Sequence, residues 1–187
     1  MQPSLMEPYV ALLRGLNVGG RNPIVMQDLA ECFRDAGYED VRTFSQSGNV
    51  LFMADPAARA SLEGSLQRML EERFETEILT IVRSRDEFAA TVAAAPANHG
   101  SADLRSEVFF LKDPLTAPAT FADLPALREG VDSVALGPGA IYFSRLTAKA
   151  RQTRITRLMG MPVFQQMTVR SWRTTTRLLT MLGDGGA

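Results

Sequence analysis

Tyr9-Val10-Ala11-Leu12-Leu13-Arg14-Gly15-Leu16-Asn17-Val18-Gly19-Gly20-Arg21-Asn22-Pro23 runs from an unbroken apolar segment into a loop of Gly, Asn and Arg. Five apolar residues in succession fit a strand buried on both faces, closed by Gly15. A second run, Gln46-Ser47-Gly48-Asn49-Val50, joins two further strand-like segments, Val41 to Gln46 and Val50 to Met53, through the same kind of residue. Between the two runs, Leu29, Cys32, Phe33 and Ala36 recur at helical spacing over 26–36, and Gly37 follows as a C-cap signal. Leu62, Leu66, Met69, Leu70 and Phe74 mark one face of a long helix over 57–74, and Ile78 to Val82 supplies a fourth strand. The order β-α-β-β-α-β over residues 1–84 is that of the ferredoxin-like split unit.

The second half continues with a helix over 85–95 that ends at Pro96, and a strand over 107–111. Gly137-Pro138-Gly139 lies between Ser133 to Leu136 and Ala140 to Phe143, which predicts a hairpin. Helices are expected over 151–159 and 171–182. The expected fold class is therefore α+β. A ferredoxin-like subdomain over 1–84 packs against a smaller α+β subdomain over 85–187 that ends in basic helices.

The chain has 187 residues, 45% hydrophobic and 22% charged, with a single cysteine. Those proportions are ordinary for a globular protein, and one cysteine excludes an internal disulfide. Met1 to Pro8 has neither the basic nor the apolar region of a secretory signal, and no apolar run approaches the ~20 residues that span a bilayer. A cytoplasmic protein without membrane contact is expected. The net charge of −1 hides an asymmetry: residues 1–132 hold 12 basic and 20 acidic side chains, whereas 133–187 hold eight basic ones and only Asp184. Such a block of one sign points to an anionic partner or to complementarity within the chain.

In a β-α-β-β-α-β sheet the first and third strands are antiparallel neighbours, so the loop leaving one and the turn entering the other share an end. That juxtaposition nominates Arg14, Asn17, Gly19, Gly20, Arg21 and Asn22 together with Ser47 and Asn49 as ligand-binding residues. Glycine allows close backbone approach, and the following helix offers unpaired N–H groups to an anion. The spacing fits no nucleotide-binding glycine motif. A second nomination is Arg170 and Arg173 around Ser171, a natural N-cap, because cations at a helix N-terminus call for a compensating negative group, together with Trp172, whose ring can stack on a ligand base. Arg151, Arg154 and Arg157 form a basic stripe on the preceding predicted helix.

The expected partner is a phosphorylated or otherwise anionic small molecule, and the alternative is non-specific nucleic-acid binding through the basic C-terminal third. No metal or cofactor is expected. His99 is the only histidine and sits in a loop, which excludes a multi-histidine zinc site. An enzyme of unrecognised type remains a further reading, with catalytic residues unassigned because no general base stands out.

Leu13 to Gly20, Met26, Asp40-Val41-Arg42-Thr43, Ser47-Gly48-Asn49-Val50 and Thr168-Val169-Arg170-Ser171-Trp172 together resemble the bacterial family catalogued as domain of unknown function 1697. The resemblance implies two α+β subdomains, the first ferredoxin-like, and implies no activity. Two stretches depart from the pattern. Arg170-Ser171-Trp172-Arg173 stands where the family usually has Arg-Asn-Trp-Asn, and Ser144-Arg145-Leu146 where it has Ser-Lys-Leu.

Overall fold

A computed structural model describes residues 6–16 and 23–183. The order is β1 (Glu7–Leu13), α1 (Met26–Asp35), β2 (Glu39–Phe44), β3 (Asn49–Ala54), α2 (Arg59–Phe74), β4 (Thr80–Ser84), α3 (Arg85–Ala93), β5 (Leu104–Leu111), α4 (Ala117–Ala122), β6 (Asp132–Gly137), β7 (Ala140–Leu146), α5 (Ile155–Met159), β8 (Met167–Ser171) and α6 (Trp172–Gly183). Short 3₁₀ turns occupy Pro56–Ala58, Thr147–Gln152 and Pro162–Gln166. The described residues thus form a mixed α+β chain with six α-helices and two antiparallel four-stranded sheets. They divide into two compact units, residues up to Phe88 with those from Leu178 onward, and Ala89–Arg177.

In the first unit the sheet order is β2-β3-β1-β4. β1 lies at the centre, paired to β3 with Tyr9 opposite Phe52 and to β4 with Ala11 opposite Val82. The unbroken apolar run of β1 is explained by its surroundings: Tyr9 to Leu13 are all buried, whichever face of the strand they occupy. Tyr9, Ala11, Leu13, Val50, Phe52 and Val82 share a core with Leu29 and Phe33 of α1 and Leu62, Leu66 and Leu70 of α2. Helix α1 ends where the sequence signalled. Gly37 takes φ +89 and its N–H donates to the Arg34 carbonyl at 2.9 Å.

In the second unit the order is β6-β7-β5-β8. The predicted hairpin is present, β6 and β7 pairing from Asp132↔Arg145 to Gly137↔Ala140. Strand β8 was not expected. The basic stripe is also rearranged, because residues 151–159 do not form one helix. Asp132 explains the break: its Oδ1 accepts from the Thr153 hydroxyl at 2.6 Å, and its Oδ2 from the backbone N–H groups of Arg154 (2.9 Å) and Arg128 (3.1 Å). Thr153 is held extended by these bonds, so Arg151 lies in a 3₁₀ turn and Arg157 in α5. Among the described residues no helix is long and apolar enough to cross a membrane.

Candidate functional site

The first nominated corner is assembled as far as its residues are described. The Leu13 N–H donates to the Gly48 carbonyl at 2.9 Å. Gly48 has φ +77, and a Cβ there would lie 2.9 Å from Leu13 Cβ and 3.1 Å from Leu16 Cβ, so the turn before β3 is pressed against the exit of β1. Asn17, Gly19, Gly20, Arg21 and Asn22 lie outside the described residues. Asn49 is fully buried, and its amide donates to the Phe44 carbonyl at 2.9 Å and to Ser47 Oγ at 3.2 Å. Ser47 Oγ also lies 2.6 Å from Ser45 Oγ. Both side chains therefore hold the turn in shape. Arg14 lines a cleft of about 430 Å³ with Pro23, Asp28, Phe74 and Glu77, and burial pulls its pKa down. Among the described residues, two carboxylates against one guanidinium disfavour a bare anion in that cleft.

A second cleft, of about 460 Å³, lies in the second unit where β8 stops short. β8 pairs with β5 only between Glu107↔Ser171 and Leu111↔Met167, so Leu104, Arg105 and Ser106 have no partner on that side. Alternation along β5 then sends Arg105 and Glu107 to one face and Leu104 and Ser106 to the other. Arg105 is directly opposite Arg145 on β7, a like-charge pair that is unfavourable on a shared face. Glu107 relieves half of the conflict. It takes Arg145 in a two-pronged bond at 2.8 and 3.3 Å. Arg105 has no ionic partner among the described residues, and neither has Arg173, at the start of α6, which lines the same cleft.

The second nominated set is thus divided by the structure. Trp172 and Arg173 line the cleft, with Ser171 as the N-cap of α6, its Oγ accepting from the Thr174 N–H at 3.1 Å. Arg170 does not line it. Only 5% exposed, it donates to Thr168 Oγ1 at 2.8 Å and to the Val169 carbonyl at 2.9 Å, and burial pushes its pKa down to about 10. Its part here is internal.

Behind the cleft a chain of polar atoms runs inward. The Gly100 N–H donates to Ser106 Oγ at 2.9 Å, Ser106 Oγ is 2.8 Å from Ser144 Oγ, and Ser144 Oγ is 3.0 Å from His99 Nδ1. The His99 ring meets Trp172 edge-to-face at 4.8 Å and Tyr142 at 5.5 Å. Its Nε2 is buried without a hydrogen-bond partner among the described residues. Sequence reading set His99 aside as a loop residue, yet it is 8% exposed and anchors this wall.

Desolvation lowers the His99 pKa below 6.5. Between pH 8 and pH 5 the unfolded chain therefore binds more protons at this position than the native one, and stability rises with pH. That stability is complete above the unfolded value of 6.5 and is lost as pH falls through 6.5 towards the native value. The expected result is a urea midpoint that drops from pH 7.5 to 5.5 in the wild type and drops less in His99→Gln. Equal drops would remove His99 as the cause.

The comparisons agree with this architecture. The family model described as "Protein of unknown function (DUF1697)" matches residues 6–142, and the chain belongs to that family. Among solved structures, the conserved bacterial protein SP0830 from Streptococcus pneumoniae matches with a TM-score of 0.84 and 24% identity, covering 95% of this chain and 99% of that one. At that identity the likeness shows the fold. No curated protein matches the chain. Arg145, Trp172 and Arg173 lie beyond the matched residues. Sequence reasoning missed Arg105, Ser106 and Arg145, whose proximity follows only from the β5 register, and Gly100, which the turn before β5 brings against Trp172. The one available signal was Leu104-Arg105-Ser106-Glu107, an alternating run entering an apolar strand.

Proposed function

We propose that this protein binds an anionic small ligand and that the cleft beside β5, Trp172 and Arg173 receives it. The observation that carries the reading is a pair of guanidiniums, Arg105 and Arg173, lining one cleft without a carboxylate partner among the described residues, while its only acid, Glu107, is engaged by Arg145. Within the same reading the first unit, with its β-α-β-β-α-β order and sheet order β2-β3-β1-β4, is ferredoxin-like, and the protein is cytoplasmic.

Titration with inorganic phosphate tests the site. Arg105→Ala and Arg173→Ala are each expected to weaken binding about tenfold or more, since a hydrogen bond to a charged group contributes about 1.5–3 kcal/mol. Arg14→Ala is expected to leave it unchanged. The alternative site is the cleft around Arg14, where Asp28 and Glu77 oppose an anion; loss of binding in Arg14→Ala alone would move the site there. Non-specific nucleic-acid binding asks for basic side chains free to follow phosphates, and Arg145 and Arg170 are engaged internally. A gel shift that weakens steeply with salt and survives Arg105→Ala would favour it.

A further inference from the structure

The cleft beside β5 has two chemically different walls, and the sheet register explains why. Arg105, Glu107 and Arg145 stand on one face of the sheet, and Ser171 is opposite Glu107 on that same face. Ser106 and Ser144 are paired on the other face, and with them His99, Tyr142 and Trp172. Because β8 ends at Ser171, the edge of β5 between the two faces is open, and one cleft reaches both. The first wall is cationic. The second is aromatic and largely apolar, made of Leu104, Gly100 and Trp172, with Ser106 beside them holding the Gly100 N–H and the Ser144 hydroxyl.

Trp172 is held for this position. A Cβ at Gly100, which has φ +84, would fall 2.0 Å from Trp172 Cδ1 and 2.4 Å from Nε1, so the bare glycine backbone lies directly against the indole. His99 abuts the same ring at 84°. The indole is therefore fixed before any ligand arrives, and its N–H has no hydrogen-bond partner among the described residues. A volume of about 460 Å³ far exceeds what an inorganic oxyanion fills, and lies in the range that holds an organic ligand.

Resting on the anion-binding reading above, we propose that the ligand is a phosphate-bearing flat heterocycle, the chemistry of a nucleotide. Its phosphate meets Arg105 and Arg173, and its ring lies against Trp172. Aromatic side chains take bases by stacking with little regard to sequence, so the site admits a free mononucleotide or a nucleotide within a single strand.

Trp172 is the only tryptophan in the chain, so its fluorescence reports on the wall itself. The probes are inorganic phosphate, ribose 5-phosphate, adenosine 5′-monophosphate, uridine 5′-monophosphate and a short oligouridylate. The mononucleotides are expected to bind about tenfold or more tighter than ribose 5-phosphate and to quench the indole. Followed by calorimetry, since the variants lack the reporting indole, Trp172→Leu removes that advantage, and Trp172→Phe, which keeps an aromatic face, retains part of it. An oligouridylate that binds more tightly than the monomer and is released by salt identifies the strand as the source. Mononucleotides no tighter than ribose 5-phosphate would overturn the inference and leave the anion site standing. Failure of every phosphate to bind would bring down the anion-binding reading itself, and this inference with it.

Discussion

Replacement of Phe52 by alanine is expected to lower the unfolding free energy by about 3–5 kcal/mol, the range for deleting a buried aromatic side chain. Phe52 is 2% exposed at the centre of an aromatic cluster, with ring centroids 5.9 Å from Tyr9, 5.3 Å from Phe33 and 5.0 Å from Tyr38. It joins β3 to its cross-strand partner Tyr9 on β1 and to Phe33 of α1. Tyr9 and Phe33 cannot collapse into the space, because one is held in β1 and the other in α1. Removal of the ring therefore loses both its transfer free energy and its packing contacts. Phe52→Leu, which refills most of the volume, is expected to recover more than half of the loss. Urea denaturation of the three proteins decides the matter, and a loss below about 1 kcal/mol for the alanine variant would mean that the cluster relaxes around the cavity.

The first unit was largely legible from the sequence because its signals are local. Tyr9 to Leu13, the period of Leu62-Leu66-Leu70 and the glycine after α1 each specify an element without reference to anything distant. The corner where Gly48 meets Leu13 also followed, since the β-α-β-β-α-β order alone sets which strands are neighbours. β8 did not follow. Met167-Thr168-Val169-Arg170-Ser171 carries a charged residue at a buried position and runs straight into α6, so neither alternation nor a turn signal marks it. The broken basic stripe was hidden for a related reason. Asp132 interrupts residues 151–159 from 21 and 22 positions away, a separation that local periodicity does not sense.

The candidate site was legible by residue type and not by geometry. Arg173 was singled out because cations oppose a helix N-terminus and Trp172 because its ring can stack on a base, and both line a cleft. Arg170 met the same criterion and is buried, since the strand it belongs to alternates it inward. Arg105 became a candidate only once Arg145 was seen opposite it with Glu107 already taken. Pairing decides which guanidinium is left over, and pairing is a property of the register.

Gly100→Ala is expected to be the most damaging single change at the cleft. At φ +84 an alanine bears the strain of the left-handed region, about 1–2 kcal/mol. The larger consequence is steric. A methyl group 2.0 Å from Trp172 Cδ1 is impossible, so the indole must swing away, and His99 loses the ring it abuts. Gly130 provides the control. It has φ +71 and nothing within 4 Å of its would-be Cβ, so Gly130→Ala bears the backbone strain alone. Gly100→Ala should therefore cost at least about 2 kcal/mol more than Gly130→Ala in urea denaturation, with a shifted Trp172 emission maximum that Gly130→Ala lacks. In a Trp172→Ala background the excess should vanish, because the two residues act on one contact. If Gly100→Ala and Gly130→Ala destabilise equally in the wild-type background, the indole does not rest on Gly100. The aromatic wall would then lose the support that fixes it before a ligand binds.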